Sequence, residues 1–336
     1  MKNDKSKIRS PNDEPEKLIE VYDLTKSFES VQAVNGISFH VNEGEVFGFL
    51  GPNGAGKTTT INMLTGLARP DSGKIRIAGY DCSAHPKAAQ HLIGVVPDES
   101  NLYPELSGFD NLCFCASLYG IGKKERQKRA ENLLEQFGLQ EAAHRNFSGY
   151  SKGMKRKLTI AAGIIHQPKI LFLDEPTTGI DVASARQIRQ LIREMYQAGT
   201  TIFLTTHYIE EAERLCERIA FIVNGHIVQD ETVANLLQPL KELKVLLITM
   251  THDSGNISGK LAEAFPGYDF RSVSQQHLRV ESEQTISIGP VVRFIEEQGA
   301  EVTEARQIKP SLEEVFVEVT GIETDVMKTE KNGGPS

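Results

Sequence analysis

From Leu18 onward the chain sets short apolar runs between turns and amphipathic stretches. Val46 to Leu50, Ile170 to Leu173 and Thr201 to Leu204 are near-continuous apolar blocks, the pattern of strands buried on both faces of a mainly parallel sheet. Such a sheet needs helices over both faces. One is predicted over Val182 to Gln197, where Ile188, Leu191, Ile192 and Met195 recur at helical spacing between a capping Asp181 and a stop signal at Gly199. Tyr103 to Arg145 changes character, rich in Glu, Gln, Lys, Leu and Ala with few strand signals, and reads as a helical insertion. Ile219 to Val223 and His226 to Asp230 flank Asn224-Gly225, a strong hairpin dipeptide that closes this first domain. The fold class is therefore α/β.

From about Leu243 to Gly321 the pattern runs strand, helix, strand, strand, helix, strand and a last short helix, compatible with a small split βαββαβ sandwich. The boundary is expected near Gln238 to Lys241. Residues 1 to 16 and 322 to 336 are polar, charged or Gly/Pro-rich and are expected to be disordered tails. With 336 residues, 39% of them apolar and 24% charged, the chain can bury one large core plus a smaller one. A net charge of -8 argues against a global basic field for nucleic acid or anionic lipid, so no nucleic-acid partner is expected. No run approaches the roughly 18 apolar residues of a spanning helix, and the N-terminal residues have no signal-peptide core, so a cytoplasmic chain is expected. Four cysteines form no disulfide framework; the Cys113 and Cys115 pair reads as packing without a chemical role.

The sharpest chemical signal follows the strand at Val46 to Leu50. Gly51-Pro52-Asn53-Gly54-Ala55-Gly56-Lys57-Thr58-Thr59, then an apolar helix, is a phosphate-binding loop in the strand, loop, helix setting it requires. Glycines at 51, 54 and 56 let main-chain N–H groups converge on phosphate oxygens, with the helix dipole behind them. Lys57 would reach the β and γ phosphates of a nucleotide, and the Thr58 hydroxyl would sit on magnesium. Such a loop fits kinases, GTPases, helicases and transport ATPases alike. Downstream, Ile170 to Leu173 delivers Asp174 and Glu175 to the mouth of a buried strand, where adjacent carboxylates are costly without a cation or water to hold. Asp174 suits the magnesium side and Glu175 the attacking water.

A second element narrows the choice among phosphate-loop enzymes. In Tyr150-Ser151-Lys152-Gly153-Met154, Ser151 is a good helix cap, and Leu158, Ala161, Ala162 and Ile165 follow on one face, making a second anion-binding helix terminus. Over residues 18 to 235 the sequence resembles the ABC family of ATPases, whose signature LSGGQ is here YSKGM. The resemblance implies a nucleotide-binding domain over 17–237, with an antiparallel β subdomain and a helical subdomain at about 99–150, followed by an α+β accessory domain over 241–321. It also implies a head-to-tail homodimer in which Ser151 and Gly153 cap the γ-phosphate held by the other copy. Gly179-Ile180-Asp181 resembles the D-loop, His207 the switch histidine, and Phe28 the aromatic that stacks on adenine.

Where the family usually has Gln after Val-Pro, this chain has Asp98. An aspartate can ligate magnesium directly or through water, and Asp98 is expected to keep the sensing role. Three readings share this core: an exporter motor, a nucleic-acid or ribosome ATPase, and an importer motor. The ending Pro310-Ser311-Leu312-Glu313-Glu314-Val315-Phe316, YSKGM and Asp98 all resemble the drug-resistance and sodium-export branch. That resemblance implies a separately encoded transmembrane permease seated against the Tyr103 to Arg145 region, with this subunit peripheral on the inner face of the cell membrane.

Overall fold

The computed structural model describes residues 16–241, 244–251, 256–274, 276–308 and 311–322. The expected tails, apart from Glu16 and Ile322, and Pro310 of the C-terminal motif lie outside the described residues. The elements run β1 (Lys17–Phe28), β2 (Val31–Asn42), β3 (Val46–Leu50), α1 (Lys57–Leu64), β4 (Ser72–Ile77), β5 (Tyr80–Asp81), α2 (Pro86–Gln90) and β6 (Ile93–Val96). The insertion supplies α3 (Gly108–Leu118) and α4 (Lys123–Gln136), and then come α5 (Lys152–Ile164), β7 (Ile170–Asp174), α6 (Val182–Gln197), β8 (Thr201–Thr206) and α7 (Ile209–Leu215). The hairpin β9 (Arg218–Val223) and β10 (His226–Thr232) ends this part.

The second sheet has the order β10-β9-β3-β8-β7-β6, and β9, β3, β8, β7 and β6 pair in parallel. Every residue of β3, β7 and β8 is buried, as expected for strands covered on both faces. Parallel order carries the C-terminal ends of β3, β7 and β8 to one edge, where ligands gather in such sheets. The first sheet, β2-β1-β4-β5, is antiparallel. Phe39 of β2 enters an aromatic cluster with Phe47, Phe49 and Phe203, at centroid distances of 5.6 to 6.0 Å, so the two sheets share one core. Each such pair adds about 0.5–1.5 kcal/mol beyond area burial, which favours a stiff floor beneath the loops.

Between β9 and β10, Asn224 and Gly225 both take positive φ (48° and 77°), as a two-residue hairpin turn demands. The turn also braces the phosphate loop, since Gly225 N donates to Ala55 O at 3.1 Å. The cysteines are free; burial pushes the Cys113 and Cys115 thiols up, away from the reactive thiolate. Among the described residues no helix is long and apolar enough to cross a membrane.

The chain divides into two compact units between Glu231 and Thr232, ahead of the expected Gln238 to Lys241 stretch. Helix α8 (Val233–Lys241) joins the second unit because it packs against α11 (Leu312–Thr320). Between them lie β11 (Lys244–Met250), α9 (Ile257–Ala264), β12 (Asp269–Ser272), β13 (His277–Ser282), α10 (Ile288–Glu297) and β14 (Val302–Ile308). The antiparallel order β12-β13-β11-β14 is the split βαββαβ arrangement. One sheet face packs Leu246, Ile248, Leu278 and Val280 against Ile257 and Leu261 of α9 and Val291 and Ile295 of α10. Arg279 of β13 pairs with Glu314 of α11 at 2.8 Å, tying the C-terminal motif to the sheet.

Candidate functional site

Between β3 and α1 the backbone turns through glycines that nothing else could replace. Gly56 has φ 106°, and a Cβ there would stand 2.4 Å from Ala33 O; at Gly51 a Cβ would stand 2.1 Å from Ile222 O. Helix α1 has no side-chain cap, so its first N–H groups face outward at the loop, the arrangement that receives an anion. Lys57 is buried, and its Nζ donates to Gly51 O at 2.6 Å and Pro52 O at 3.2 Å. The same Nζ lies 3.6 Å from Glu175 Oε1.

At the end of β7, Asp174 accepts hydroxyl hydrogen bonds from Thr58 at 3.1 Å and from Thr205 of β8. Glu175 has φ 48°, an uncommon setting for a side-chain-bearing residue, and Thr205 O holds its N–H at 3.1 Å. Its carboxylate lies 2.9 Å from His207 Nδ1 and accepts from Thr178 Oγ1 at 3.1 Å. Burial by itself would raise the pKa of Glu175. The His207 hydrogen bond, the Lys57 ammonium and the Thr178 hydroxyl outweigh it and hold the carboxyl below its ordinary range. The group is therefore a carboxylate at neutral pH, aimed at a cavity of about 690 Å³ that Lys57, Thr58, Asp98 and His207 also line.

The hydroxyl of Thr58 beside the carboxylate of Asp174, with Asp98 lining the same cavity as Thr58, is an all-oxygen set that fits magnesium. A cation held there would draw its remaining ligands from phosphate and water, as such ions usually do.

The second helix terminus lies apart from that cavity. Ser151 caps α5 by accepting from Met154 N at 3.3 Å. A Cβ on Gly153 would stand 2.2 Å from Ser184 Oγ, and Asp181 caps α6 by accepting from Ser184 N at 2.9 Å and Ser184 Oγ at 2.7 Å. Gly153 and Asp181 are thus gathered around Ser184, whereas Gly179 and Ile180 line the Lys57 cavity. The segment 179–181 runs from one to the other. Tyr150, ahead of Ser151, donates its hydroxyl to Ala142 O at 2.6 Å and stands where a Cβ on Gly108 would be, 2.2 Å away. Phe28 is half exposed at the end of β1 beneath Lys26 Nζ (5.3 Å), and Ala33 rather than Phe28 is in the cavity wall.

Two buried charges escape a reading by motif. Arg156 is enclosed and bonded to main-chain carbonyls beside Asp98 and Asp174, though in sequence it looks like one more cation of Lys155-Arg156-Lys157. Glu211 of α7 accepts from Thr177 Oγ1 at 2.7 Å and Thr206 Oγ1 at 3.3 Å, with burial pushing its pKa up. Its only sequence signal is a carboxylate four positions after His207.

Residues 34–178 match the ABC transporter family profile, from β2 through Thr178. The chain is 39% identical over 234 residues to the linearmycin resistance ATP-binding protein of Bacillus subtilis, covering 70% of this chain and 75% of that protein. It is 41% identical to the daunorubicin/doxorubicin resistance ATP-binding protein of Streptomyces peucetius (68% and 69% covered), and 41% to the Nod factor export ATP-binding protein I of Paraburkholderia xenovorans (66% and 73%). Among solved structures, an ATP-binding subunit of an ABC transporter superposes with TM-score 0.61 at 31% identity, over 66% of this chain and 92% of that one. A dimeric ATP-binding cassette in a post-hydrolysis state bound to ADP and Pi superposes with TM-score 0.59 at 26% identity, over 64% and 98%.

Proposed function

The chain belongs to the ABC transporter family, and from that premise we propose that it is the ATP-hydrolysing motor of an exporter. It pairs with a second copy on ATP and drives a separately encoded membrane permease from the inner face of the membrane. One observation carries the reading. Lys57, Glu175 and His207 converge on a single cavity, while the capped terminus at Ser151 and Gly153 faces elsewhere, as a group that completes another copy's site would. The printed names of the relatives, two for drug resistance and one for Nod factor export, favour an exporter.

In this reading the loop amides and Lys57 grip the phosphates, and Lys57 exchanges its carbonyl partners for phosphate oxygens. Thr58, Asp174 and Asp98 would hold magnesium, which supplies charge neutralisation on the phosphates when bound. Glu175, ionised and fixed by its backbone, orients or deprotonates the attacking water. His207 keeps Glu175 ionised and reaches the γ-phosphate end. Phe28 stacks on adenine beyond the cavity wall.

The permease sits on the helical side, where Leu67, Leu118 and Tyr119 leave apolar surface around a hollow of about 610 Å³ that Glu99 also lines. The neighbouring gene should encode a multi-span membrane protein, and co-expression with it should yield a stable complex whose ATPase depends on it. Retention of a nuclease or ribosomal factor instead would sink the exporter reading.

Two substitutions probe the site further. Asp98→Ala should cut permease-coupled hydrolysis by about tenfold or more, as losing a metal-orienting group does; wild-type hydrolysis and transport would remove Asp98 from the mechanism. His207→Ala takes away the hydrogen bond that opposes burial, so the Glu175 pKa rises. The acid limb of kcat/KM against pH should therefore move to higher pH, because protonation of Glu175 then begins nearer neutrality.

A further inference from the structure

Arg156 leaves α5 on its inward face, five residues past Ser151, or about 7.5 Å along the axis. Its guanidinium reaches the ends of β6 and β7, which are neighbours in the parallel sheet with Val96 opposite Leu173. Nη1 donates to Pro97 O and to Asp98 O (3.1 Å), Nη2 to Asp174 O, and Nε to Pro176 O at 2.9 Å. One planar group thus bonds main-chain carbonyls at or just past the ends of two adjacent strands, including those of Asp98 and Asp174 themselves and of the residue after Glu175. These carbonyls lie at or beyond the strand ends, and Arg156 supplies their donors. Burial disfavours a cation here and lowers the guanidinium's pKa, and the carboxylates of Asp98, Asp174, Glu211 and Glu175 offset part of that cost.

We propose that Arg156 is a positioning residue that ties the helix headed by Ser151 to this chain's own Asp98 loop and Asp174-Glu175 strand end. The inference rests on the reading of the chain as an ATP-driven pair. When the α5 terminus closes on the nucleotide of a second copy, any tilt of α5 moves through the guanidinium to the backbone carrying Asp98 and Glu175. Each copy's active site is thereby informed of its partner's occupancy. A rigid fork is suited to this, because it cannot yield at one carbonyl without weakening the others. A buried cation serving only to neutralise the four carboxylates would need the charge but not the fork.

Arg156→Lys in the full chain separates the two roles, since it keeps the charge and loses the planar fork. Nucleotide affinity should stay within about twofold of wild type while kcat falls by about ten- to a hundredfold, the scale of a misplaced catalytic group. The Hill coefficient for ATP should fall to one. Full kcat and cooperativity in Arg156→Lys would overturn the proposal, and so would a parallel loss of nucleotide affinity and melting temperature, which marks a merely structural role. A measurement free of folding risk uses the chain unsubstituted at 156 in a Glu175→Gln background. On adding ATP, amide exchange at 152–156, 98–101 and 175–178 should slow together; protection at 152–156 alone would overturn the coupling. If Glu175→Gln fails to pair on ATP, the motor reading itself falls; pairing there with wild-type behaviour of Arg156→Lys sinks only the coupling.

Discussion

Glu175→Gln should accumulate as an ATP-bound pair that turns over about a hundred- to ten-thousandfold more slowly than wild type, the range lost with a positioned acid–base group. The substitution keeps the shape of the side chain and can still accept from Thr178 Oγ1, which reaches Glu175 Oε2 at 3.1 Å. What disappears is the negative charge 3.6 Å from Lys57 and the acceptor for water activation. Lys57 then loses the pull of the Glu175 carboxylate, so nucleotide is gripped at least as well while cleavage stalls. Light scattering with ATP and magnesium, beside a phosphate-release assay, gives both readouts. Rapid turnover together with a persistent monomer would count against the whole scheme.

Lys57→Ala should act at the opposite end of the cycle, weakening ATP binding by about a hundredfold or more. A buried ammonium that meets phosphate makes charge-assisted bonds, and none of the loop amides replaces its charge. Removal also takes from the buried Glu175 carboxylate one of the charges that hold its pKa down, so that pKa should rise and fewer molecules should carry it ionised. Calorimetric titration with ATP reports the first effect, and unchanged affinity would remove the phosphate loop from the mechanism. Because both Lys57 and Glu175 face one cavity, the two substitutions together should be far from additive.

What the sequence makes legible here is what neighbours along the chain decide. Val46 to Leu50, Val182 to Gln197 and the Asn224-Gly225 turn appear in the structure where the apolar pattern and turn chemistry put them. The glycines of the phosphate loop are legible for the same reason, since local conformation demands them. Arg156 and Glu211 are not, because their roles come from groups far along the chain. Arg156 binds carbonyls 58 and 59 residues before it, and Glu211 takes a hydroxyl 34 residues away. Nothing in their immediate neighbours separates a buried charge from a solvated one. The extent of the second unit is similarly hidden, since only the packing of α8 on α11 decides where 233–241 belongs.

The contact between Tyr150 and Gly108 has a consequence for protein engineering. The tyrosine that opens YSKGM is seated only because position 108 has no side chain, so the two residues, 42 positions apart, constitute one transplantable unit. Grafting YSKGM into a cassette with a larger residue at the matching helix start would force the ring outward, at about 1–3 kcal/mol for an overpacked site. Moving the glycine along with it leaves the graft room to seat.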